Sequence, residues 1–278
     1  MPGTLYVVGT PIGNLGDFSQ RGIETLQTVD FIAAEDTRVT QKLLNRFGIK
    51  KPALSYHAHS FKTRGEEIIN RLQSGENGAI VTDAGMPCIS DPGEELVRLC
   101  YQNGLKVEVI PGPSALISAL AISGLKVSRF SFEGFLSVNK TSRKKHLEEI
   151  KASPYTMVFY EAPHKLYKTL RDLYTVLGER SICLARELTK IYEETLRMKL
   201  SEALELYRQK EAVGEFVLII EGKAAEKKLG ITLEEAAALV LELEESRGLS
   251  EAAKEAARQS GFSKSEIYKA ALQSKQSV

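Results

Sequence analysis

Three stretches of this chain place a short apolar run directly before a loop stiffened by glycine and proline. Residues 5–8 are apolar and lead into Gly9, Pro11, Gly13 and Gly16. Residues 79–82 lead into Asp83, Gly85 and Met86, and residues 106–110 lead into Pro111, Gly112, Pro113 and Ser114. An apolar strand that ends in such a loop and then enters a helix is how open α/β sheets build ligand crevices. The first loop has neither the G-x-G-x-x-G spacing nor a Gly-Lys-Ser/Thr ending, so a plain tight turn explains it as well as a ligand loop does. Asp83 is different in kind. A carboxylate at a strand end followed by Gly85 offers a ligand both charge and bare backbone. Asp91, eight residues on, reads as a helix cap with Pro92 in the first turn.

Charged residues gather at other strand ends. Glu35, Asp36 and Arg38 follow the apolar residues 31–34 and suit the positioning of a substrate, while Asp36 or Thr37 equally suits the cap of a helix over 39–47. Lys140, Arg143, Lys144 and Lys145 open a helix with a dense basic run, which is either a solvated face or a phosphate-binding one. His57 and His59 share one face of an extended segment, as a metal pair would, yet no Cys, Asp or further His sits close by in sequence. No metal is expected.

The elements that must hold these groups follow from periodicity. Strands are expected near 5–8, 31–34, 54–56, 79–82 and 106–110, with helices ending near 28 and spanning 39–47, 64–74 and 115–123. Ser19 or Asp17 would cap the first helix and Ser114 the last. Beyond Gly124 the pattern changes: strands near 130–135, 156–160, 181–185, 194–198 and 216–221, and helices at 165–177 and 201–209. Residues 181–198 leave little room for a crossover, so this half is expected to be partly antiparallel. A charged linker at 223–230 precedes three helices over 231–278, broken at Gly248 and Gly261, with Ser250 and Ser263 as candidate caps. That spacing fits a helix-turn-helix or a protein-contact module. The expected fold is α/β, with domains at 1–123 and 124–222 and a helical module at 231–278.

With 278 residues, 43% hydrophobic and 26% charged, the chain has the composition of a soluble globular protein of about two domains. The formal charge of +1 creates no global field, so any nucleic-acid affinity must come from local patches. The 3 cysteines are odd in number and far apart, which argues against a disulfide framework or zinc ribbon and for a reducing compartment. No apolar run approaches a membrane span and no leader pattern precedes the first strand, so a cytoplasmic location is expected.

Taken together, Thr10-Pro11-Ile12-Gly13-Asn14-Leu15, Ala33-Ala34-Glu35-Asp36-Thr37-Arg38, Asp83-Ala84-Gly85 and Ser90-Asp91-Pro92-Gly93 form an ordered set of blocks. Pro111-Gly112-Pro113, Phe132-Glu133-Gly134-Phe135, Phe159-Tyr160-Glu161 and Ala185-Arg186-Glu187-Leu188-Thr189-Lys190 extend it. In these the chain strongly resembles the tetrapyrrole methylase superfamily and, within it, the ribosomal RNA small subunit methyltransferase I family. The resemblance implies two α/β domains, usually in a homodimer, with S-adenosylmethionine folded in the cleft. It implies 2′-O-methylation of a cytidine in the decoding region of 16S rRNA, on free rRNA or the small ribosomal subunit. Cofactor positions carried over by resemblance fall on Ile12, Asp83, Met86, Ser114 and Ala115, and in the second domain on Tyr160 or Glu161, Ala185 and Phe216. Pro11 and Gly85 join them as neighbours in the same loops. Met86 and Cys88 stand where the family more often has small or polar residues.

A ribose hydroxyl needs a base, or a cation that stabilises the developing alkoxide. The strand-end candidates are Glu161, Glu187, Lys190 and Glu35, of which Glu187 with Lys190 is preferred, Arg186 or Arg38 being the ion-pair partner if Glu187 is only structural. Glu35, Asp36, Arg38, Lys140, Arg143, Lys144 and Lys145 are expected on the substrate side.

Overall fold

The computed structural model describes residues 1–57, 61–224 and 231–276. The first sheet alternates strand and helix: β1 (Thr4–Val8), α1 (Gln20–Thr28), β2 (Phe31–Ala34), α2 (Thr37–Arg46), β3 (Ala53–Ser55), α3 (Phe61–Gln73), β4 (Gly78–Val81), α4 (Glu94–Gln102), β5 (Lys106–Ile110) and α5 (Ala115–Ser123). Its five strands are parallel in the order β3-β2-β4-β1-β5. Such strands are covered on both faces, so every residue of β2 and β4 is buried. Two clusters do the covering: Leu5, Phe31, Ile80 and Leu96 on one face, Val8, Ile32, Ala79 and Leu26 on the other.

This order explains why the three stiff loops meet. β4, β1 and β5 are neighbours, so the loops after them lie side by side at the carboxyl edge, and β2 adds its own loop beside that of β4. Ser19, not Asp17, caps α1 by accepting from the Gly22 amide, Asp36 caps α2, and Ser114 caps α5. Asp91 caps nothing. The residue before α4 is Gly93, at φ +140°, with no side-chain cap; the Asp91 carboxylate stands beside Thr82 instead.

The second sheet comprises β6 (Phe130–Gly134), α6 (Lys140–Ile150), β7 (Thr156–Glu161), α7 (Pro163–Leu177), β8 (Ser181–Arg186), β9 (Glu194–Lys199), α8 (Leu200–Gln209) and β10 (Phe216–Ile220). The order is β6-β7-β10-β8-β9, with β6 and β7 parallel and every other pair antiparallel. Side chains alternate between two faces along each strand. One set, including Met157, Phe159, Leu184, Phe216 and Leu218, packs with Leu147 of α6, Leu170 of α7 and Ala203 of α8. The other set, Val158, Tyr160, Cys183, Ala185, Val217 and Ile219, packs with Ala119 and Leu120 of α5 and with Ile12. Both sheets belong to one compact unit, Met1–Lys223.

A separate unit, Ala224–Val278, contains α9 (Leu233–Arg247), α10 (Leu249–Ser260) and α11 (Lys264–Gln276) around an alanine-rich core of Ala236, Ala253, Ala256 and Ala271. Ser263 caps α11 in a reciprocal box with Glu266. Ser250 lies inside α10, whose cap is Gly248. Most of the charged linker, residues 225–230, lies outside the described residues, as does His59.

The basic run does open α6, capped by Asn139, but its members divide. Lys140, Lys144 and Lys145 are exposed, whereas Arg143 is 5% exposed. Its guanidinium donates to Asp172 Oδ2 at 2.6 Å and to Thr169 Oγ1 at 2.8 Å, and Thr169 donates onward to Glu161. Helix periodicity turns the fourth residue of α6 inward against α7. Arg143 therefore clamps α6 to α7 and is no part of the exposed basic face. Arg143→Ala removes a buried cation from the half-buried Asp172, which keeps Arg171, and should lower the urea-unfolding free energy by about 1.5–3 kcal/mol, while leaving the salt dependence of any RNA binding unchanged.

Candidate active site

The loops at the carboxyl edge of the first sheet are joined backbone to backbone. A methyl group on Gly9 would lie 2.6 Å from Met86 Sδ and 2.8 Å from Gly112 Cα, so only glycines let the β1 and β5 loops approach this closely. Thr10 and Gly85 exchange both backbone hydrogen bonds, at 2.9 and 3.1 Å, and the Thr10 hydroxyl donates to Thr82 O at 3.1 Å. Gly85 takes φ +89° to make that bridge. Pro11 and Ile12 are then held, buried, at the edge of the first sheet.

Carboxylates collect beside this seam. Thr82 donates to Glu35 Oε2 at 2.6 Å, and the Asp36 amide donates to Asp83 Oδ1 at 3.2 Å. Arg38 grips Asp36 through Nε at 3.0 Å and Nη2 at 2.6 Å, and these bonds hold the Asp36 carboxyl down to about 2. Asp36 thus both caps α2 and fixes Arg38. Burial, then the nearby charge of Glu35, pushes the carboxyls of Asp83 and Asp91 up. The result is an anionic patch of four carboxylates at the edge of the first sheet. Among the described residues no group of three or more His, Cys, Asp or Glu has the arrangement of a metal site.

The facing wall is the inner side of the second sheet. Tyr160 and Ala185 are on it, together with Ile12 and Leu188. The Tyr160 hydroxyl accepts from the Leu116 amide at 3.1 Å, and Ser114 accepts from that of Ile117. Among the described residues, the Ala115 amide is the first-turn donor of α5 left with no protein acceptor. Glu161 and Phe216 point the other way. Glu161 accepts from Thr169 beneath the sheet, and Phe216 meets Tyr207 edge to face with ring centroids 5.7 Å apart. The two-residue period of a strand puts Tyr160 and Val217 inward and their neighbours outward, so Glu161 and Phe216 can reach the cleft only through backbone atoms.

Glu187 and Lys190 come from the loop after β8. Glu187 and Thr189 both take left-handed backbone, at φ +51° and +66°. Lys190 Nζ donates to Glu187 Oε1 at 2.9 Å and to Glu215 Oε2 at 3.0 Å, and Glu187 Oε1 also accepts from the Glu215 amide at 2.9 Å. Arg186 and Arg38 are not the partners of Glu187: they pair with Glu194 and Asp36. Burial opposes ionisation of Glu187, but the bonds from Lys190 and Glu215 outweigh it and leave the carboxyl below its usual range. Burial likewise opposes the charge on Lys190, and its two carboxylates outweigh that and raise its pKa. This loop touches the first domain, because a methyl on Gly13 would lie 2.5 Å from Lys190 Cγ and 2.9 Å from Thr189 Oγ1. Sequence spacing gave no hint of that contact.

Parallel-sheet loops thus face a mixed sheet across an apolar seam within one compact unit. Residues 4–204 match the family described as Tetrapyrrole (Corrin/Porphyrin) Methylases. The solved structure of a cobalt precorrin-4 methyltransferase superposes with a TM-score of 0.59 at 15% identity, covering 78% of this chain and 94% of that one. Curated relatives are closer. "Ribosomal RNA small subunit methyltransferase I" of Thermotoga maritima is 48% identical over 221 residues, covering 80% of this chain and 99% of that protein. The protein of the same name from Escherichia coli O157:H7 is 45% identical over 275 residues, covering 98% and 95%. The chain belongs to the ribosomal RNA small subunit methyltransferase I family of tetrapyrrole methylases.

Because the folded Glu187 carboxyl is depressed, its ion pair contributes stability above the unfolded carboxylate pKa and loses it as pH falls through the folded value. Glu187→Gln should lower the melting temperature at pH 7 to 8 and flatten its decline with acid, the gap to the wild type closing as pH falls, measured by thermal melts across pH. Ile12→Asp places a charge in the seam and should weaken S-adenosylmethionine binding by at least about tenfold, measured by calorimetry.

Proposed function

We propose that this chain catalyses S-adenosylmethionine-dependent methylation of the 2′-oxygen of a cytidine in the decoding region of 16S rRNA. The observation that carries the reading, beside family membership, is the contact of the Gly13 backbone with Thr189 and Lys190. It sets the stem of the Lys190 side chain against the loops that would hold the cofactor.

The residues present suit that cofactor. Its positive charge would meet the carboxylates at the first-sheet edge, its apolar parts would lie on Pro11, Ile12 and Ala185, and the free Ala115 amide would supply a donor to an anionic group. Asp83, Gly85, Met86, Ser114 and Tyr160 shape the rest of the pocket. When bound, the cofactor supplies an electrophilic methyl group.

Everything else falls to the chain. Aligning a ribose oxygen in a fixed pose removes much of the barrier to in-line displacement. Lys190 has three N–H donors and spends two on Glu187 and Glu215, so one remains for the developing alkoxide. Glu187, already ionised and bonded twice, is a weak base and serves chiefly to orient that amine. Glu35, Asp36 and Arg38 organise the substrate side of the cleft, and Lys140, Lys144 and Lys145 contact phosphates. In this reading residues 1–123 and 124–222 act as the two walls, 231–278 as a helical module, and the protein works in the cytoplasm as a homodimer. Exposed Val109 and Ile117 support a partner subunit. No helix among the described residues is long and apolar enough to cross a membrane.

Purified protein incubated with methyl-labelled cofactor should label small ribosomal subunits and not uroporphyrinogen. Labelling of the porphyrinogen alone would assign a tetrapyrrole substrate, and cofactor binding with no transfer would assign a ribosome-binding role. Lys190→Met should lower single-turnover methylation about 10²–10³-fold with cofactor affinity retained, whereas an unchanged rate would remove the amine from the chemistry.

A further inference from the structure

From Arg38, at the substrate side of the cleft, a basic surface that the reading above leaves otherwise unused runs along α2. Arg38, Lys42 and Arg46 follow one another at four-residue intervals, so they form one stripe on its face. Lys50 and Lys51 continue it past Gly48, and residues 37–51 contain no Asp or Glu. Arg38 is tied to Asp36, yet its side chain is 87% exposed. Lys42 and Arg46 are exposed, and among the described residues neither they nor Lys51 has an ion-pair partner. Between α2 and the start of β3 lies a shallow depression of about 570 Å³, lined by Arg38, Gln41, Lys42, Asn45 and Lys51. The amides of Gln41 and Asn45 and the cations around this open hollow suit a phosphate backbone.

Position strengthens the argument. β3 is the edge strand of the sheet, so nothing in the sheet lies beyond it. α2 starts at the cap residue Asp36, whose amide bonds Asp83, and runs back toward the start of β3. At 1.5 Å per residue its ten residues carry the stripe about 15 Å away from the site. A helix C-terminus favours a cation at Arg46 alone and does not explain Lys42 or Lys51.

We propose that α2 and Lys51 form a second RNA-binding surface, which takes the phosphate backbone of the strand running away from the target nucleotide. The inference rests on the chain being an RNA methyltransferase, and the test separates the two. Binding of 16S rRNA fragments and of small subunits is measured against salt for the wild type, for Lys42→Gln/Arg46→Gln, and for Lys42→Ala/Arg46→Ala/Lys51→Ala. Cofactor affinity is measured on each as a check on folding. All the substituted residues are on the surface, and the glutamine variant keeps the helix-forming side chains.

With single-stranded RNA, the slope of log K against log salt should become shallower by about 2 in the triple variant, from roughly 0.7 per phosphate contact. Affinity at low salt should fall at least about tenfold, and cofactor binding should not change. An unchanged slope overturns the proposal even if the wild type methylates rRNA. If the variants instead aggregate with slope intact, the lysines only guard an open sheet edge, and the proposal is again wrong. A wild type that neither binds nor methylates RNA removes the functional reading and this surface with it.

Discussion

The structure depends on one apolar seam. α5 is built almost wholly from alanine, leucine, isoleucine and serine, and it lies against the inner face of the second sheet through Ala119 and Leu120, with Ile12 and Leu188 beside it. Small residues allow that close approach. The Tyr160 hydroxyl on the Leu116 amide and Arg197 on the carbonyls of Ser123 and Ile122 then fix its position. Burial at roughly 25 cal/mol per Å² supplies the attraction, and the hydrogen bonds supply the register. Without this seam, the loops of the two sheets would not share a cleft.

Charge is arranged around the seam in three zones. The first-domain edge carries carboxylates, two of which, Asp83 and Asp91, are pushed up by burial and by one another's neighbours. The second-domain loop carries a single amine held between two carboxylates. Basic side chains stand further out, on α2 and α6. The net charge of +1 conceals this separation. A protein with no global field can still offer an anionic pocket to a cationic ligand and cationic flanks to a polyanion.

Much of this was legible in the sequence. Glycine and proline after apolar runs marked the three loops of β1, β4 and β5, and the strand spacing separated a parallel half from a mixed one. Side-chain direction was less legible. Tyr160 and Glu161 are adjacent, and only the alternation of β7 against a real neighbour decides that the tyrosine faces the cleft. Arg143 sat in a run of cations, yet helix periodicity buried it on Asp172. Asp91 had the right offset for a cap, but the cap position falls two residues later, at Gly93. The contact of Gly13 with the Thr189–Lys190 turn had no sequence signal, because it joins segments far apart in the chain.

A 2′-O-methyl group removes the hydroxyl that cleaves RNA in alkali, so its presence reads out as one protected linkage. The most direct measurement maps such linkages across 16S rRNA from cells with the protein, cells lacking it, and cells supplied with Lys190→Met in its place. The account predicts one protected cytidine linkage in the decoding region that disappears without the protein and stays unprotected with the variant. An identical protection pattern in all three would contradict it.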